Sequence, residues 1–545
     1  MPILQAKHNW TDVLAGRPRE QLETLILPAY LRECRWFGGK ARQMKRLEIV
    51  ESIPVGDPLR LVQILLMRVT YADGGAEIYV LPLGCAKDVA ADQIAGNFPQ
   101  AVVSPIELDG RRAIIYDGVY SESFCTDLLS SIVQSRTIRG RHGSLQAYPG
   151  RALSNKAEEA ADFPTPKVLK AEQTNTAVLF GEELFLKLYR HPEQGINPDL
   201  EIVSFLTEVV PFPNIPSFAG ALEYRGADEE PISIGILQSF VPNRGDSWSY
   251  FLDAVKYYYR GVGASGVKAP TPSAAISFLE LSQRPVPPSH VELISEQALD
   301  LAGLLGTRTA ELHKALAAAT DHPSFKPEPF SRPFQMSVFG SMAELVRRVL
   351  RLLESNLCKL SAGVQEEAQQ LLGREHQVME KLRAFVDRDL SAMRIRIHGD
   401  YHLGQVLYTG KDFIIIDFEG EPARSLPERR IKQSALKDAA GMVRSFHYAA
   451  YLSLLTAADP DYKKISDLVP WADLWYYYMG AAFLKSYLDV IDGSGIVPVD
   501  YLQTEIMLKA FLLEKAVYEL GYELNNRPGW VPVPLRGIRY LLNDE

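Results

Sequence analysis

The run Ile397-His398-Gly399-Asp400-Tyr401-His402-Leu403-Gly404-Gln405, followed by Ile416-Asp417-Phe418-Glu419, spaces three oxygen-bearing side chains as phosphoryl transfer requires. That chemistry needs a carboxylate to orient an attacking hydroxyl, an amide one short loop later to ligate magnesium, and a second Asp at the next turn. Asp400, Gln405 and Asp417 stand at those offsets. An Asp at a strand end is more often a turn former, and a lone His-Gly-Asp triplet is weak; the joint spacing favours a kinase catalytic loop. Apolar residues at 393–397 and 406–408 flank the loop, and the β-branched run 413–416 delivers Asp417. The pattern predicts strand, loop, strand, turn, strand, with polar groups gathered at the strand ends.

A nucleotide needs a cation and a phosphate cradle. Lys187 lies in Phe185-Leu186-Lys187-Leu188-Tyr189, and Glu201 follows on the next helix, the order of a kinase Lys–Glu pair. An inward lysine on a half-buried strand is costly unless paired; the competing reading turns Lys187 to solvent. Gln173, Thr174, Asn175 and Thr176 stand where a phosphate loop is expected, without a G-x-G-x-x-G motif, so hydroxyls, amides and backbone N–H groups would bind ATP there. Ser239 and Val241, at the end of the strand 232–240, occupy either a nucleotide hinge or an ordinary strand terminus.

With 545 residues the chain predicts several structural units. A net charge of −9 argues against a nucleic-acid partner, which needs a clustered basic face. Cys34, Cys85, Cys125 and Cys358 lack C-x-x-C spacing, so neither a disulfide framework nor a zinc site is expected. No apolar run reaches membrane-spanning length and the start resembles no signal peptide, which predicts a cytoplasmic protein without a membrane partner.

Before the catalytic loop, a helix at 22–32 leads into strands at 61–69 and 76–83 joined by an Asp73-Gly74-Gly75 turn. The Ser/Arg/Gly-rich stretch 130–154 breaks the periodicity and reads as a surface excursion, and 261–275 as a loop or insertion. Strands at 176–180, 184–189, 219–224 and 232–240, with a helix after Asn197-Pro198, form the nucleotide lobe, and helical periodicity dominates from residue 291 onward. The expected organisation is α+β: a cap at 1–95, a nucleotide-binding lobe at 96–242 and a mostly helical C-lobe at 243–545.

With these residues assembled, the chain resembles the bacterial maltokinases, relatives of the aminoglycoside phosphotransferases often joined to trehalose synthase. The likeness runs through Arg35-Trp36-Phe37-Gly38-Gly39-Lys40-Ala41-Arg42, Gln173-Thr174-Asn175-Thr176, 237–246 and 306–313, then the catalytic loop and Ile416-Asp417-Phe418-Glu419-Gly420-Glu421-Pro422. It continues through Asp438-x-x-Gly441-Met442-x-Arg444-Ser445-Phe446 and Leu513-x-Lys515-Ala516-x-Tyr518-Glu519. The resemblance implies a bilobed eukaryotic-like kinase fold with an N-terminal cap, and ATP-dependent phosphorylation of maltose at its anomeric hydroxyl. It implies Asp400 as catalytic base, Gln405 and Asp417 as Mg2+ ligands, Lys187 as phosphate contact, and trehalose synthase as a partner.

The acceptor sugar is expected around 438–446, because carboxylates and arginine give vicinal hydroxyls directional hydrogen bonds. His398, Asp438, Arg444, Tyr518 and Glu519 are the candidate sugar residues. Arg35 to Lys40 reads either as a phosphate-binding turn or as cap packing. A glucosamine or aminoglycoside kinase shares the catalytic motif, and a cationic substrate would call for extra acidic groups near Asp438. A pseudokinase-like docking module for trehalose synthase is the reading from another class, and retention of Lys187, Asp400, Gln405 and Asp417 argues against it.

Overall fold

Long apolar runs build the first part of the protein. The computed structural model describes residues 3–7, 9–154, 164–169, 174–227, 230–265, 277–456 and 465–542. The chain divides into two compact units, Met1–Val209 with Pro216–Pro242, and Val210–Ile215 with Asn243–Glu545.

In the first unit a six-stranded sheet runs Leu4–Ala6, Val102–Leu108, Arg111–Asp117, Ala76–Lys87, Val62–Tyr71, Met44–Val55. Val62–Tyr71 reads as almost continuously apolar because both faces of the sheet are covered. Leu65, Met67 and Val69 cluster with Leu22, Ile26, Leu27 and Leu31, while Ile64, Leu66 and Val80 share a second core with Phe124, Leu128, Leu186 and Leu222. The expected cap boundary at residue 95 is too early. Strands Val102–Leu108 and Arg111–Asp117 complete the cap sheet after an intervening helix, Asp88–Asn97, a pairing that local periodicity does not reveal.

A seven-stranded sheet follows, ordered Thr137–Arg139, Ser144–Pro149, Phe218–Arg225, Ile232–Ser239, Leu184–Tyr189, Asn175–Phe180, Pro166–Val168. The stretch 130–154 is therefore no surface excursion. Ser144–Pro149 pairs along its length with Phe218–Arg225, and its alternate residues Leu145 and Ala147 are buried. Its short period-two pattern was hidden by the Gly, Ser and Arg residues around it. Trp36 and Phe37 pack on Tyr79, and a Cβ at Gly39 would fall 2.1 Å from Tyr71 Oη, so the Arg35 to Lys40 segment is a packing motif.

Arg190 ties the two sheets together. Its guanidinium is 1% exposed and donates to Asp117 Oδ2 at 2.6 Å, Thr176 Oγ1 at 2.7 Å and Val80 O at 3.4 Å. Burial raises the Asp117 carboxyl pKa, and the adjacent guanidinium opposes that rise.

The second unit is mostly helical. Helices Glu296–Ala317 and Ile465–Ile491 pack almost backbone to backbone, since a Cβ at Gly306 would fall 2.1 Å from Phe483 O. Helix Ser247–Ser265 occupies the start of the expected loop 261–275, whose residues 266–275 lie outside the described set. The hairpin Val406–Tyr408 with Phe413–Ile415 pairs Val406 with Ile415, which leaves Gln405 beside Ile416 and hence near Asp417.

Candidate active site

In the first unit Lys187 is 6% exposed, so the solvent-facing reading fails. Its Nζ donates to Asp199 Oδ2 at 3.1 Å, and Tyr189 Oη donates to the same oxygen at 3.2 Å. Asp199 opens the helix Pro198–Glu208, two positions before the Glu201 to which the sequence pointed, and sequence reasoning missed it. The Asn197 side chain accepts from Asp199 N at 2.9 Å and starts that helix as its N-cap. Glu201 is half-buried on the same helix.

Of the expected phosphate loop, Gln173 lies outside the described residues, Thr174 is exposed, and Asn175 begins the strand opposite Tyr189. Thr176 is corrected: it is buried and its hydroxyl accepts from Arg190 Nε, a structural bond that takes it away from phosphate. Ser239 Oγ accepts from Ser217 N at 2.8 Å, and Val241 is half-buried just beyond the strand end.

The second unit carries the candidate catalytic loop 397–405. Asp400 Oδ1 accepts from Lys515 Nζ at 3.3 Å, and His402 Nε2 lies 3.9 Å from Asp400 Oδ2. Burial pulls the Lys515 ammonium down, but the Asp400, Glu421 and Glu519 carboxylates outweigh it and hold its pKa above the ordinary 10.5. Burial pushes the His402 imidazole below its usual value, so it is neutral near pH 7. Gln405 Nε2 donates to Asp417 Oδ2 at 2.9 Å, and Asp417 holds a left-handed backbone at φ 65°, which Asp tolerates better than most residues.

Asp438 lines a cavity with Gly399, Tyr401 and Lys515 and also shapes the loop. It is 2% exposed and its carboxylate accepts from His398 N at 2.7 Å and Gly399 N at 3.0 Å, with His313 Nε2 at 3.2 Å. It holds the loop 397–405 in shape. Burial alone would raise its carboxyl, yet the His313 hydrogen bond and charge, the His398 charge and the Gly399 N–H bring it below the ordinary 3.8. His398 is corrected: it is 1% exposed, with Nε2 3.0 Å from Ile416 O, and links the loop to the strand that leads into Asp417.

Arg444 and Glu519 form an ion pair, Nη2 to Oε2 at 2.6 Å, with Gly537 pressed so close that its Cβ would meet Arg444 Nη1 at 2.3 Å. Arg444 is corrected from sugar contact to core group, because the helix around Gly537 covers it, and half-buried Glu519 is engaged by its guanidinium. His313 and Lys515 were missed as site residues, although both stand in stretches that carried the family likeness.

A cavity of about 340 Å3 opens beside the loop. Gly399 and Tyr401, the neighbours of Asp400, line it together with Lys515 and Tyr518. Two charged pairs close within its walls, Arg424 Nε donating to Glu421 at 3.0 Å and Lys437 Nζ to both Glu514 oxygens at 2.8 Å, and Glu344, Arg348, Glu428 and Asp438 also line it. The first unit thus carries a lysine–carboxylate pair, and the second a loop Asp and an amide–Asp pair.

Comparison with known proteins agrees. Residues 30–120 match the maltokinase N-terminal cap domain, and residues 262–420 match the phosphotransferase enzyme family. A segment like the maltokinase cap thus precedes, in sequence, one like the phosphotransferases, in a capped kinase-like fold. Among curated proteins this capped kinase is similar to glucosamine kinase from Streptacidiphilus jiangxiensis, 24% identical over 389 residues, which cover 71% of the chain and 75% of that protein. Glucosamine kinase from Mycolicibacterium smegmatis (strain ATCC 700084 / mc(2)155) is 23% identical over 384 residues, covering 69% and 79%. The solved structure of a glucosamine kinase in complex with glucosamine, ADP and inorganic phosphate superposes with a TM-score of 0.59 at 18% identity, covering 90% of this chain and 93% of that one. A second crystal form of a glucosamine kinase gives 0.61, covering 93% and 95%. The capped-kinase architecture is thus shared along nearly the full chain. Among the described residues no helix is long and apolar enough to cross a membrane.

Proposed function

We propose that this capped kinase transfers the γ-phosphoryl group of ATP to the anomeric hydroxyl of maltose, giving maltose 1-phosphate and ADP. The observation that carries the reading is the polar-walled cavity beside Asp400, lined by Lys515 and Tyr518. Its carboxylate, lysine and arginine side chains offer sugar hydroxyls directional hydrogen bonds. The maltokinase-type cap points the same way.

In this reading Asp400 orients the anomeric O–H and accepts its proton as the oxygen attacks the γ-phosphorus; the bond to the β,γ-bridging oxygen breaks and ADP leaves. Lys515 keeps the Asp400 carboxylate in place. Lys187, held by Asp199, takes a phosphate oxygen, with Glu201, Thr174 and Asn175 nearby in sequence and Ser239 and Val241 on the adenine side. Gln405 and Asp417 offer adjacent oxygen donors, a set that suits a hard cation, and they would hold Mg2+. Its contribution when bound is to neutralise charge on the phosphate oxygens.

The second reading is a glucosamine kinase, favoured by the names of the curated relatives. ATP turnover with maltose, glucosamine and glucose separates the two. Maltose should give the highest kcat/KM, and a higher value for glucosamine decides for the second reading. A cytoplasmic location and a trehalose synthase partner belong to the same proposal, and co-sedimentation of the two proteins tests the partnership.

A further inference from the structure

A second chamber of about 590 Å3 adjoins the acceptor cavity and shares Leu345, Arg348, Ala423 and Tyr518 with it. Two helices carry both chambers, and residue numbers rise along each from the first chamber to the second. On Arg332–Asn356 the lining passes from Ser341 and Glu344, through Leu345 and Arg348, to Leu352 and Ser355. On Tyr501–Asn526 it passes from Glu514 and Lys515, through Tyr518, to Tyr522 and Asn525. At 1.5 Å per residue, Lys515 to Asn525 covers about 15 Å. The two chambers form one trough that starts at the partner of Asp400 and leads away from it. Gly521 lets the helices close beneath: a Cβ there would come 2.9 Å from Val349 Cγ2.

The chemistry changes along the trough. The first chamber carries charges of both signs, while the second sets Leu345, Val349 and Leu352 beside Arg348 and Arg351, with the amides of Asn525 and Asn526 at its far end. Tyr522 is 46% exposed, an unusual place for a large aromatic, and the Arg527 guanidinium lies 5.2 Å from its ring. Apolar side chains, a standing aromatic ring and side-chain amides match pyranose rings, which present C–H faces and hydroxyl edges.

We propose that the second chamber extends the acceptor site and takes the non-reducing-end glucose rings of an α-1,4-linked chain longer than maltose. The protein then phosphorylates maltooligosaccharides at their anomeric hydroxyl by the same exchange: the anomeric oxygen bonds to the γ-phosphorus, its bond to the bridging oxygen breaks, Asp400 takes the proton and ADP leaves. This inference rests on the maltose reading. Its test is steady-state kinetics of the full chain with ATP and maltose, maltotriose or maltotetraose, in the parent, Tyr522→Ala and Asn525→Ala, each checked by thermal melting. Maltotriose should be turned over with kcat/KM at least equal to that for maltose. The maltotriose-to-maltose ratio should fall about threefold to tenfold in Tyr522→Ala, the range of one aromatic contact. If Tyr522→Ala does not fold, the same fall in Asn525→Ala serves. Turnover of maltose without maltotriose, or an unchanged ratio in folded variants, overturns the extension and leaves the maltose reading intact. Turnover of glucosamine with no α-glucan overturns both.

Discussion

Lys515 Nζ stands 3.3 Å from Asp400 Oδ1, a contact between residues 115 positions apart. The same ammonium lies 5.0 Å from the Tyr518 ring, so one cation joins the loop carboxylate to the cavity wall. Helix Tyr501–Asn526 thereby sets where the carboxylate points. Lys515→Met should lower kcat at least about tenfold, equivalent to about 1.4 kcal/mol. Lys515→Arg, which keeps the charge, should recover part of that loss. Parental kcat in Lys515→Met means that Asp400 is positioned by other groups.

Asp400→Asn keeps size and shape but removes the carboxylate proposed as the base. Its kcat should drop about 10²–10⁴-fold, with ATP binding by calorimetry nearly unchanged. Retention of more than about a tenth of parental kcat contradicts the catalytic assignment.

Asp417→Ala removes one oxygen of the Gln405–Asp417 pair. Turnover should vanish while the melting temperature stays close to that of the parent, and excess chelator should stop the parent enzyme. Full activity under chelation decides against Mg2+ at these residues.

Asp438 gives a pH prediction with a definite sign. Its folded pKa lies below the ordinary 3.8, so its stabilisation is complete above that value and is lost as pH falls through the lowered one. At pH 7, Asp438→Asn should cost about 1–3 kcal/mol, because N–H groups of a buried loop lose a charged acceptor. The gap in melting temperature between parent and variant should close only below pH 3.8. A gap that closes near neutral pH points to another titrating group.

The Arg190–Asp117 pair makes the cap and the nucleotide-lobe sheet one unit. Arg190→Met strands a buried carboxylate and should cost about 3–5 kcal/mol. Replacing both partners with apolar residues should cost less than the single change, as chemical denaturation would measure. Equal losses indicate that packing, not charge, is decisive there.

The candidate catalytic group was legible because its members are local. Asp400, Gln405 and Asp417 sit within one loop and one hairpin, so short-range spacing was enough to bring Gln405 Nε2 within 2.9 Å of Asp417. Lys187 was legible for a similar reason, as a charge in a strand of apolar neighbours. The strand Ser144–Pro149 was not, because six residues amid Gly, Ser and Arg carry too little periodicity until a partner strand stabilises them. Nor was the choice between carboxylates. Asp199 and Glu201 both follow Lys187 on one helix, and only its packing puts Asp199 at 3.1 Å. Asp438 and Arg444 looked equally suited to bind hydroxyls, since residue type reveals chemistry but not whether the atoms are already engaged. Tertiary structure engages them, with the His398–Gly399 backbone and with Glu519, because a buried charge requires a partner and the nearest ones come from distant segments. The same long-range packing brings Lys515 to Asp400, which no local pattern in the chain encodes.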